Sequence, residues 1–221
     1  MGLDIVITED GSSSIFNKDL DEHYHSIHGA LQESRHVFIQ AGLHLKIKSN
    51  TPISILEIGL GTSLNALLTA LEAGYSKQSI FYTGIEKFPL NVSFYNHLNY
   101  AAIIDDVHAA AIFKSLFDAS WEAEVQITDY FSLLKLKMDI ASISYADKFD
   151  LIYFDAFAPS AQPELWTEDI FRLMYLALKP GGVLVTYCAK GIVKRTMKSV
   201  GFTIESLPGP KGKREMTRAI K

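Results

Sequence analysis

Three carboxylates in this chain stand at or near the ends of short apolar runs, at positions that suit ligand chemistry. Glu57 lies near the end of the run 53–58, and Glu86 closes the next run, 27 residues after Gly59. Asp155 follows Leu-Ile-Tyr-Phe at 151–154. A carboxylate that emerges from a buried strand is costly unless a cation or a hydrogen-bond donor meets it. In an open α/β sheet, ligands bind beyond the carboxyl ends of the strands, so these acids predict a binding or catalytic site there.

The glycine loop after the first run limits the class of ligand. Gly59 and Gly61 let the backbone approach a ligand, and the helical pattern that follows offers free N–H groups. A dinucleotide-binding loop would continue with a third glycine at position 64, where this chain has Leu64. A carboxylate at Glu86 can accept both ribose hydroxyls of an adenosyl or a nucleotide ligand, and its spacing fits either class. The alternative for Glu86 is an exposed acid at a helix start.

The segment from Asp155 to Trp166 holds the strongest candidate for chemistry. Asp155 is followed by Ala-Phe-Ala-Pro, and we expect the prolines to hold Phe157 and Trp166 as apolar walls beside the carboxylate. Two alternatives are that Asp155 only caps a turn and that Trp166 is ordinary packing. Asp129 closes another apolar run, where a ligand contact and a simple helix cap are equally plausible.

The elements that position these residues alternate between strand and helix. Seven short apolar runs predict strands: 53–58, 80–86, 124–128, 150–155, 183–188, 202–207 and 214–220. Helical patterns lie between them, one opening at Pro89 and one capped by Thr167. The sequence therefore predicts an α/β fold with a mostly parallel seven-stranded sheet covered on both faces by helices, its last strand antiparallel at an edge.

Residues 1–50 differ from the rest of the chain. Asp10-Gly11 predicts a hairpin, and a helical stretch runs from about Gly29 to Leu45. We interpret residues 1–50 as an N-terminal cap of the same domain and residues 51–221 as its main part. In this reading Glu33 and Arg35 are ordinary charges on a helix surface. The region 101–123 has only a weak helical pattern.

Composition describes a globular chain of 221 residues, 48% hydrophobic and 21% charged. No window approaches the roughly 18 apolar residues of a membrane span, and the first twenty residues carry acids instead of a leader, so we expect a cytoplasmic protein with no membrane partner. The single cysteine, Cys188, excludes an internal disulfide and is typical of a small buried hydrophobe. The histidines at 23, 25 and 28 would face different directions, so no metal site is predicted.

Charge is distributed unevenly. Residues 179–221 carry ten Lys and Arg against two Glu, a balance of +8, which leaves −12 for the remainder given the total of −4. This asymmetry predicts a cationic face that could meet a polyanion, and the alternative is a solvated charged helix.

Several motifs occur in an order that resembles a known family. They are Asp10-Gly11-Ser12, Tyr24-His25-Ser26 with Gly29-Ala30, Leu56-Glu57-Ile58-Gly59-x-Gly61 with Asn65, Glu86 with Pro89-Leu90, Asp155-x-Phe157-Ala158-Pro159 with Pro163-Glu164-Leu165-Trp166-Thr167, Thr186-Tyr187 with Gly191-x-Val193-Lys194-Arg195, and Lys213-Arg214-Glu215-Met216. Together they resemble the S-adenosylmethionine-dependent methyltransferases that form 5-methylaminomethyl-2-thiouridine at the tRNA wobble position. The resemblance runs from about residue 8 to residue 218. Ala156 and Ser63 stand where relatives often have glycine.

The resemblance implies a class I, Rossmann-like methyltransferase fold and S-adenosyl-L-methionine as cofactor. It implies methyl transfer to the aminomethyl nitrogen of 5-aminomethyl-(2-thio)uridine in a tRNA anticodon loop. Many relatives continue into a flavin-dependent oxidoreductase, for which this chain has no room, so we expect the stand-alone form with no fused oxidoreductase.

The same resemblance, with the spacing arguments above, assigns roles to residues. Asp155 is the catalytic candidate. The cofactor candidates are Glu57, Gly59, Gly61, Asn65, Glu86 and Asp129. The substrate candidates are Tyr24, His25, Phe157, Pro159, Trp166, Lys190, Lys194, Arg195, Lys213 and Arg214.

Alternative functions remain open at this point. They are methylation of a small amine, an aminopropyltransferase, a nicotinamide oxidoreductase and a non-catalytic tRNA-binding adaptor. An aminopropyltransferase would need a further carboxylate soon after Asp155, which this chain lacks. A nicotinamide oxidoreductase would need the third glycine, which is also missing.

Overall fold

The computed structural model describes residues 2–47 and 51–221. The N-terminal part contains β1 (Leu3–Ile7), β2 (Ser13–Asn17), β3 (Glu22–His23), α1 (Ala30–Ser34), a π-helical stretch (Arg35–Leu43) and α2 (His44–Lys46). The main part contains β4 (Ile53–Ile58), α3 (Leu64–Ser76), β5 (Ile80–Ile85), α4 (Val92–Tyr95), α5 (Tyr100–Ile103), α6 (Ala109–Asp118), β6 (Glu124–Thr128), β7 (Phe131–Leu136), β8 (Phe149–Phe154), α7 (Glu168–Ala177), β9 (Leu178–Thr186), α8 (Gly191–Ser199), β10 (Thr203–Pro208) and β11 (Glu215–Ile220). Short 3₁₀ turns occur at Ile140–Ser142 and Pro163–Trp166.

The main sheet has the strand order β10-β11-β9-β8-β4-β5-β7-β6. The five strands from β9 to β7 are parallel, and β6, β10 and β11 join by antiparallel pairing. Strand β4 lies between β5 and β8, with Ile58 beside both Ile85 and Phe154 at their carboxyl ends. The predicted α/β class is therefore confirmed, and three strand ends that precede candidate residues meet at one edge.

Within residues 2–47 and 51–221 the main sheet has eight strands instead of the predicted seven, because β6 and β7 form a hairpin. The run 124–128 is the outer, antiparallel strand, and Phe131–Leu136 is the strand that pairs with β5. A lysine interrupts the apolar pattern of this inner strand. Lys135 is nevertheless buried, and its Nζ donates to the carbonyls of Leu116 and Phe117, each at 2.9 Å. Lys135 hydrogen-bonds the last carbonyls of α6. From the sequence alone, a lysine at this position is predicted to face solvent, so the strand was not recognised.

Two further local predictions are wrong. The last strand, β11, is antiparallel as expected, but it lies between β9 and β10 and is not an edge. Pro89 does not open a helix. Helix α4 begins at Val92, where the Asn91 side chain accepts a hydrogen bond from the Ser93 N–H at 2.9 Å. An Asx cap two residues downstream provides the start signal more strongly than the proline.

Other local predictions are confirmed. Strands β1 and β2 pair antiparallel around Asp10-Gly11, with Gly11 at φ 83°. The Thr167 side chain accepts from the Ile170 N–H and caps α7. The region 101–123 contains the end of α5 and all of α6.

Helices pack on both faces of the main sheet and bury two apolar clusters. One face packs the N-terminal helical segment, α3 and α6 against rings that include Tyr82, Phe131 and Tyr153. The other packs α7 and α8 around Phe154 and Phe171. The π-helical stretch lies close to the sheet at Gly42, where an added Cβ would stand 3.0 Å from Val185.

Strands β1 to β3 form a separate three-stranded sheet. The Asn99 side chain ties that sheet to the main part, since its Oδ1 accepts from the Ser13 backbone N–H at 2.8 Å. The division at residue 50 remains a prediction, and its boundary adjoins residues 48–50, outside the described part of the chain. Among the described residues, no helix combines the length and apolar character needed to span a membrane.

Candidate active site

Two carboxylates share one amide at the carboxyl edge of β4 and β8. The Asn65 Nδ2 donates to Glu57 Oε1 and to Asp155 Oδ2, each at 2.8 Å. Glu57 is fully buried, and its second oxygen accepts from the Tyr82 hydroxyl at 2.7 Å. Asn65 Oδ1 is buried and has no hydrogen-bond partner among the described residues. The cluster thus presents one unused acceptor and two carboxyl groups whose hydrogen-bond donors are neutral.

Glu86 adds a third carboxylate at the same edge and touches the glycine loop. Its Oε2 accepts from the Gly61 N–H at 3.1 Å, and its Oε1 accepts from the Phe88 N–H at 2.9 Å. Burial raises the pKa of this carboxyl, and burial also raises the pKa of Glu57 well above its ordinary value. Both groups would gain from a cationic or hydroxyl-rich ligand.

The glycine loop has the backbone that only glycine adopts without strain. Gly59 has φ 85°, and a Cβ there would lie 2.5 Å from the carbonyl oxygen of Asp155. Gly61 has φ 47°, and Ser63 also lies in the left-handed region at φ 62°. At Ser63, where the family resemblance implies glycine, a glycine would therefore remove strain.

Asp155 follows β8 and continues its ladder, because its N–H donates to Ile58 O at 3.0 Å. Burial raises the pKa of its carboxyl to about 7; nearby Glu33 adds to the rise, while the Asn65 hydrogen bond and Lys213 oppose it. A carboxyl that titrates near neutrality is suited to accept and release a proton.

An aromatic wall stands beside Asp155. The rings of Phe157 and Tyr24 meet edge to face with centroids 5.0 Å apart, and Tyr24 also lies against Gly61. His25 Nε2 is 3.4 Å from the Thr62 hydroxyl, its Nδ1 is buried without a partner among the described residues, and burial lowers its pKa to about 4. The structure therefore brings Tyr24, His25 and Phe157 to the predicted site.

Trp166 is not at the pocket wall as predicted. It is 6% exposed and packs against Phe154 and Phe171 in the core. Its Nε1 donates to Phe157 O at 2.8 Å, so it supports the loop from behind. Burial stabilises a ring as large as that of tryptophan. The sequence pattern alone did not distinguish a tryptophan in the core from one that lines the pocket.

A cleft of about 520 Å³ opens beside this loop. It is lined by Ala158, Pro159, Tyr187, Cys188, Ala189, Lys190, Lys213, Arg214 and Glu215. Four of these residues were substrate candidates, and they come from the loop after β8, the loop before α8 and the turn before β11. The arrangement can accept a negatively charged ligand of substantial size beside the loop that follows Asp155.

The cations around the cleft divide into two groups. Lys190, Arg195 and Arg214 are exposed, and none forms an ion pair within residues 2–47 and 51–221. Lys194 instead pairs with Glu215 at 2.6 Å and donates to the Ser206 hydroxyl at 2.7 Å. Lys213 pairs with Glu33 and lies 4.0 Å over the ring of Tyr187. Only the first group has its charge available to a ligand without breaking an existing pair.

Glu33 is a site residue that sequence reasoning missed. It was expected on a helix surface, but it is 5% exposed, accepts from the Ser26 N–H at 2.8 Å and pairs with Lys213. A glutamate in a helical pattern is predicted to be exposed unless a cationic partner is known. The partner of Glu33 is Lys213, 180 residues away in the sequence. No local signal identifies such a pair.

The structure contradicts the predicted position of Asp129. The residue lies in the turn between β6 and β7, and Phe131 at the start of β7 pairs with Ile80 at the start of β5. Asp129 is thus at the amino edge of the parallel strands, about 20 Å of strand from the cluster. The acid that follows β7 at the carboxyl edge is Asp139, which pairs with Lys87 at 2.7 Å.

The three N-terminal histidines contact different groups. His23 packs on Phe16, His25 approaches Thr62, and His28 contacts Glu9. In the described part of the chain, no group of three His, Cys, Asp or Glu side chains is arranged to hold a metal. Cys188 is buried, and burial raises the pKa of its thiol, which fits the small hydrophobe predicted for it.

A family model described as S-adenosyl-L-methionine-dependent methyltransferase matches residues 106–221, just over half of the chain. The chain belongs to this methyltransferase family. The family resemblance drawn from the motifs and the predicted class I methyltransferase fold are therefore confirmed.

Relatives of this methyltransferase share one name. The tRNA 5-methylaminomethyl-2-thiouridine biosynthesis bifunctional protein MnmC of Leptospira borgpetersenii (strain JB197) is 31% identical over 89% of this chain and 32% of its own length. MnmC of Paraburkholderia xenovorans is 29% identical over 91% of this chain and also 32% of its own length. The methyltransferase described here spans about a third of the length of these relatives.

Solved structures support the same fold. MnmC2 from Aquifex aeolicus matches with a TM-score of 0.82 and 27% identity, over 99% of this chain and 69% of that one. Spermidine synthase from Thermotoga maritima matches with a TM-score of 0.53 and 16% identity, over 98% of this chain and 72% of that one, which shows a shared fold only.

The site of this methyltransferase fits S-adenosyl-L-methionine. The cofactor carries two positive centres and a ribose diol, and the edge of the sheet offers three carboxylates whose pKa values are raised. The unpartnered Asn65 Oδ1 is an acceptor that an ammonium group can use. Glu57, Asn65 and Glu86 lie at this edge and could hold the cofactor.

Proposed function

We propose that this methyltransferase transfers a methyl group from S-adenosyl-L-methionine to the aminomethyl nitrogen of 5-aminomethyl-(2-thio)uridine at the tRNA wobble position. The observation that carries the proposal is the buried Asp155 carboxyl, which shares the Asn65 amide with Glu57, has a pKa of about 7, and begins the loop whose Ala158 and Pro159 line the cationic cleft. The names of the relatives support the choice of acceptor.

The reaction needs an acceptor nitrogen with a free lone pair. A primary amine in water titrates near pH ~10 and is mostly protonated at neutral pH. S-adenosyl-L-methionine, when bound, supplies a methyl group activated by its sulfonium centre. The Asp155 carboxylate accepts one proton from the acceptor ammonium, which leaves an uncharged nitrogen able to attack, and the proton then passes to solvent.

The surroundings of Asp155 assist both binding and proton removal. The Tyr24 and Phe157 rings exclude water, and desolvation lowers the pKa of an amine. Asn65 holds one Asp155 oxygen at 2.8 Å and leaves the other for the acceptor nitrogen. Orientation of the nitrogen by this carboxylate contributes most of the acceleration.

The cleft suits a nucleotide displaced from a loop of RNA. A wobble base can be splayed out and stacked on aromatic side chains, while Lys190, Arg195 and Arg214 contact phosphates. These contacts make binding weaken steeply with salt. The negative total charge of the chain is compatible with this, since Lys190 and Arg214 line the same cleft.

The direct test is nucleoside analysis of tRNA that lacks this modification, after incubation with the protein and a labelled methyl donor. We expect label in 5-methylaminomethyl-2-thiouridine or its oxygen analogue. Label in another nucleoside would refute the acceptor. Methylation of free small amines but not of tRNA would favour a small-amine methyltransferase, and tight binding of both ligands without any methylated product would favour a non-catalytic adaptor.

A further inference from the structure

Lys213 is a cation whose charge acts on the Asp155 carboxyl, yet its contacts differ from those of Lys190 and Arg214 at the same cleft. Its Nζ lies 4.0 Å over the Tyr187 ring and pairs with Glu33, whose side chain is only 7% exposed. The ammonium is therefore already held by a carboxylate and by an aromatic face, both of which lower the free energy of the cation in place. Transfer to a phosphate would leave Glu33 buried and unpaired, which is strongly unfavourable.

The contacts of Lys213 lead to the Asp155 loop. The Tyr187 hydroxyl donates to Ala156 O at 2.8 Å, on the residue after Asp155. Glu33 accepts from the Ser26 N–H at 2.8 Å, next to the segment that carries Tyr24 and His25. One ion pair thus links the N-terminal segment, the turn before β11, the end of β9 and the catalytic loop.

The turn that carries Lys213 is itself held against the N-terminal helical segment. The Lys211 N–H donates to Gln32 Oε1 at 3.3 Å, and His36 Nε2 lies 2.8 Å from Pro208 O. Gly212 lies so close to the His28 ring that an added Cβ would overlap it. These contacts fix where the Lys213 side chain starts, so its position over Tyr187 is set by the fold.

We propose that Lys213 is a positioning residue and not a phosphate ligand: held by Glu33 over Tyr187, it fixes the loop that presents Asp155. Arg214, its neighbour in sequence, is exposed at the cleft and takes the phosphate role. The inference refines the proposed function and rests on it, because turnover on tRNA is the activity that the loop serves.

The test measures tRNA affinity against salt, together with single-turnover methylation, for matched variants. Lys213→Ala should lower the maximal rate by about 10- to 100-fold, as expected when a catalytic group is misplaced. It should leave the slope of log affinity against log salt unchanged. Arg214→Ala should lower that slope by about 0.7 to 1 with a much smaller effect on the maximal rate. Lys77→Asn, a cation removed in the turn before β5, should change neither.

Conservative variants separate positioning from a loss of fold. Lys213→Arg keeps a cation that can pair with Glu33 and stack on Tyr187, and it should restore most of the maximal rate. Tyr187→Phe keeps the ring but removes the hydrogen bond to Ala156 O, so it should lower the rate without changing the salt slope. Thermal unfolding of each variant identifies any that fails to fold, and Glu33→Gln then replaces Lys213→Ala, with the same fall in rate expected.

The outcomes distinguish this inference from the proposed function. A wild-type protein that neither binds nor methylates tRNA overturns the proposed function. An active wild type in which Lys213→Ala lowers the salt slope by about one phosphate contact, with the maximal rate unchanged, makes Lys213 a phosphate ligand and overturns the inference. A maximal rate that Lys213→Arg does not restore also overturns it.

Discussion

The carboxyl edge of the parallel strands and the rim of the cleft differ in whether their charged groups are paired. At the edge, Glu57, Glu86 and Asp155 accept hydrogen bonds from neutral donors, and burial raises the pKa of each, although Lys213 opposes the rise at Asp155. At the rim, the lysines at 194, 211 and 213 are each paired with a glutamate. A bound cation would therefore stabilise the carboxylates at this edge, and a cationic cofactor provides one. Because these three lysines are already paired, the rim has fewer cations free to bind phosphate than the number of lysines in its sequence suggests.

The largest expected effect is at the edge. Asp155→Asn keeps an oxygen that can accept from Asn65 but removes the proton acceptor, so we expect turnover to fall by about 10²- to 10⁴-fold. Affinity for S-adenosyl-L-methionine should change little. Single-turnover methylation and calorimetric binding measure the two quantities. Turnover within a few-fold of wild type would remove Asp155 from the mechanism.

The glycine loop should be almost as sensitive. Gly59→Ala places a Cβ 2.5 Å from Asp155 O on a backbone at φ 85°, so the loop must move. We expect a loss of about 1–3 kcal/mol in the free energy of unfolding and at least tenfold weaker cofactor binding. Gly74→Ala is the matched control, since nothing lies within 4 Å of its added Cβ and it lies inside α3. That variant should be neutral or slightly stabilising.

The pH dependence of the single-turnover rate reports the edge directly. Because Asp155 has a pKa of about 7, the rate should rise about tenfold per pH unit below 7 and level off above it. The groups that face Asp155 are Glu57, Glu33, Lys213 and Tyr187, and a shift of the midpoint in Glu33→Gln would trace one of them. A midpoint near 4 would show that burial does not act on this carboxyl as described.

Stability should depend on the same titration with a defined sign. The folded-state pKa of Asp155 lies above its unfolded value of 3.8, so the folded chain binds this proton more tightly. Its stabilising contribution is present below about pH 4 and is lost as pH rises through 7. Asp155→Asn should therefore flatten the fall in unfolding free energy between pH 4 and 7, which denaturant titrations at several pH values measure.

At the rim, smaller effects should separate paired from unpaired cations. Lys190→Ala removes an unpaired charge and should weaken tRNA binding several-fold at about 0.1 M salt, with a slope lower by about 0.7 to 1. Lys194→Ala removes a charge that Glu215 already neutralises, so we expect a smaller change in slope. Equal changes for both variants would mean that the Lys194 pair opens when RNA binds.

The smallest effect is expected at Asp129, on the opposite edge of the sheet. Asp129→Asn should leave cofactor affinity within about twofold, since no described contact links it to the cluster. Glu86→Gln should weaken the same affinity by about tenfold, because the ribose diol loses a charged acceptor. Equal losses in equilibrium binding would contradict the assignment of the site to the carboxyl edge.

Local patterns were sufficient where a residue's role depends on its immediate neighbours. Glu57 lies near the end of a strand that its own apolar run defines, and the glycine loop, Glu86 and Asp155 each follow such a strand. Their common edge could therefore be predicted from the α/β alternation. The β6–β7 hairpin could not be predicted. Lys135 interrupts the pattern of β7, and only the carbonyls at the end of α6 explain its burial. Asp129 was misplaced as a direct result.

The sequence by itself determined the fold class, the edge of the sheet that holds the candidate site and the three acids that lie there. These features could be predicted because apolar periodicity and glycine conformation depend only on residues that are close in the sequence. Tertiary structure alone decided which charges are available. Glu33 became a buried partner of Lys213 and Trp166 became core, because the free energy of a charge or a ring depends on what surrounds it, and those neighbours come from distant parts of the chain.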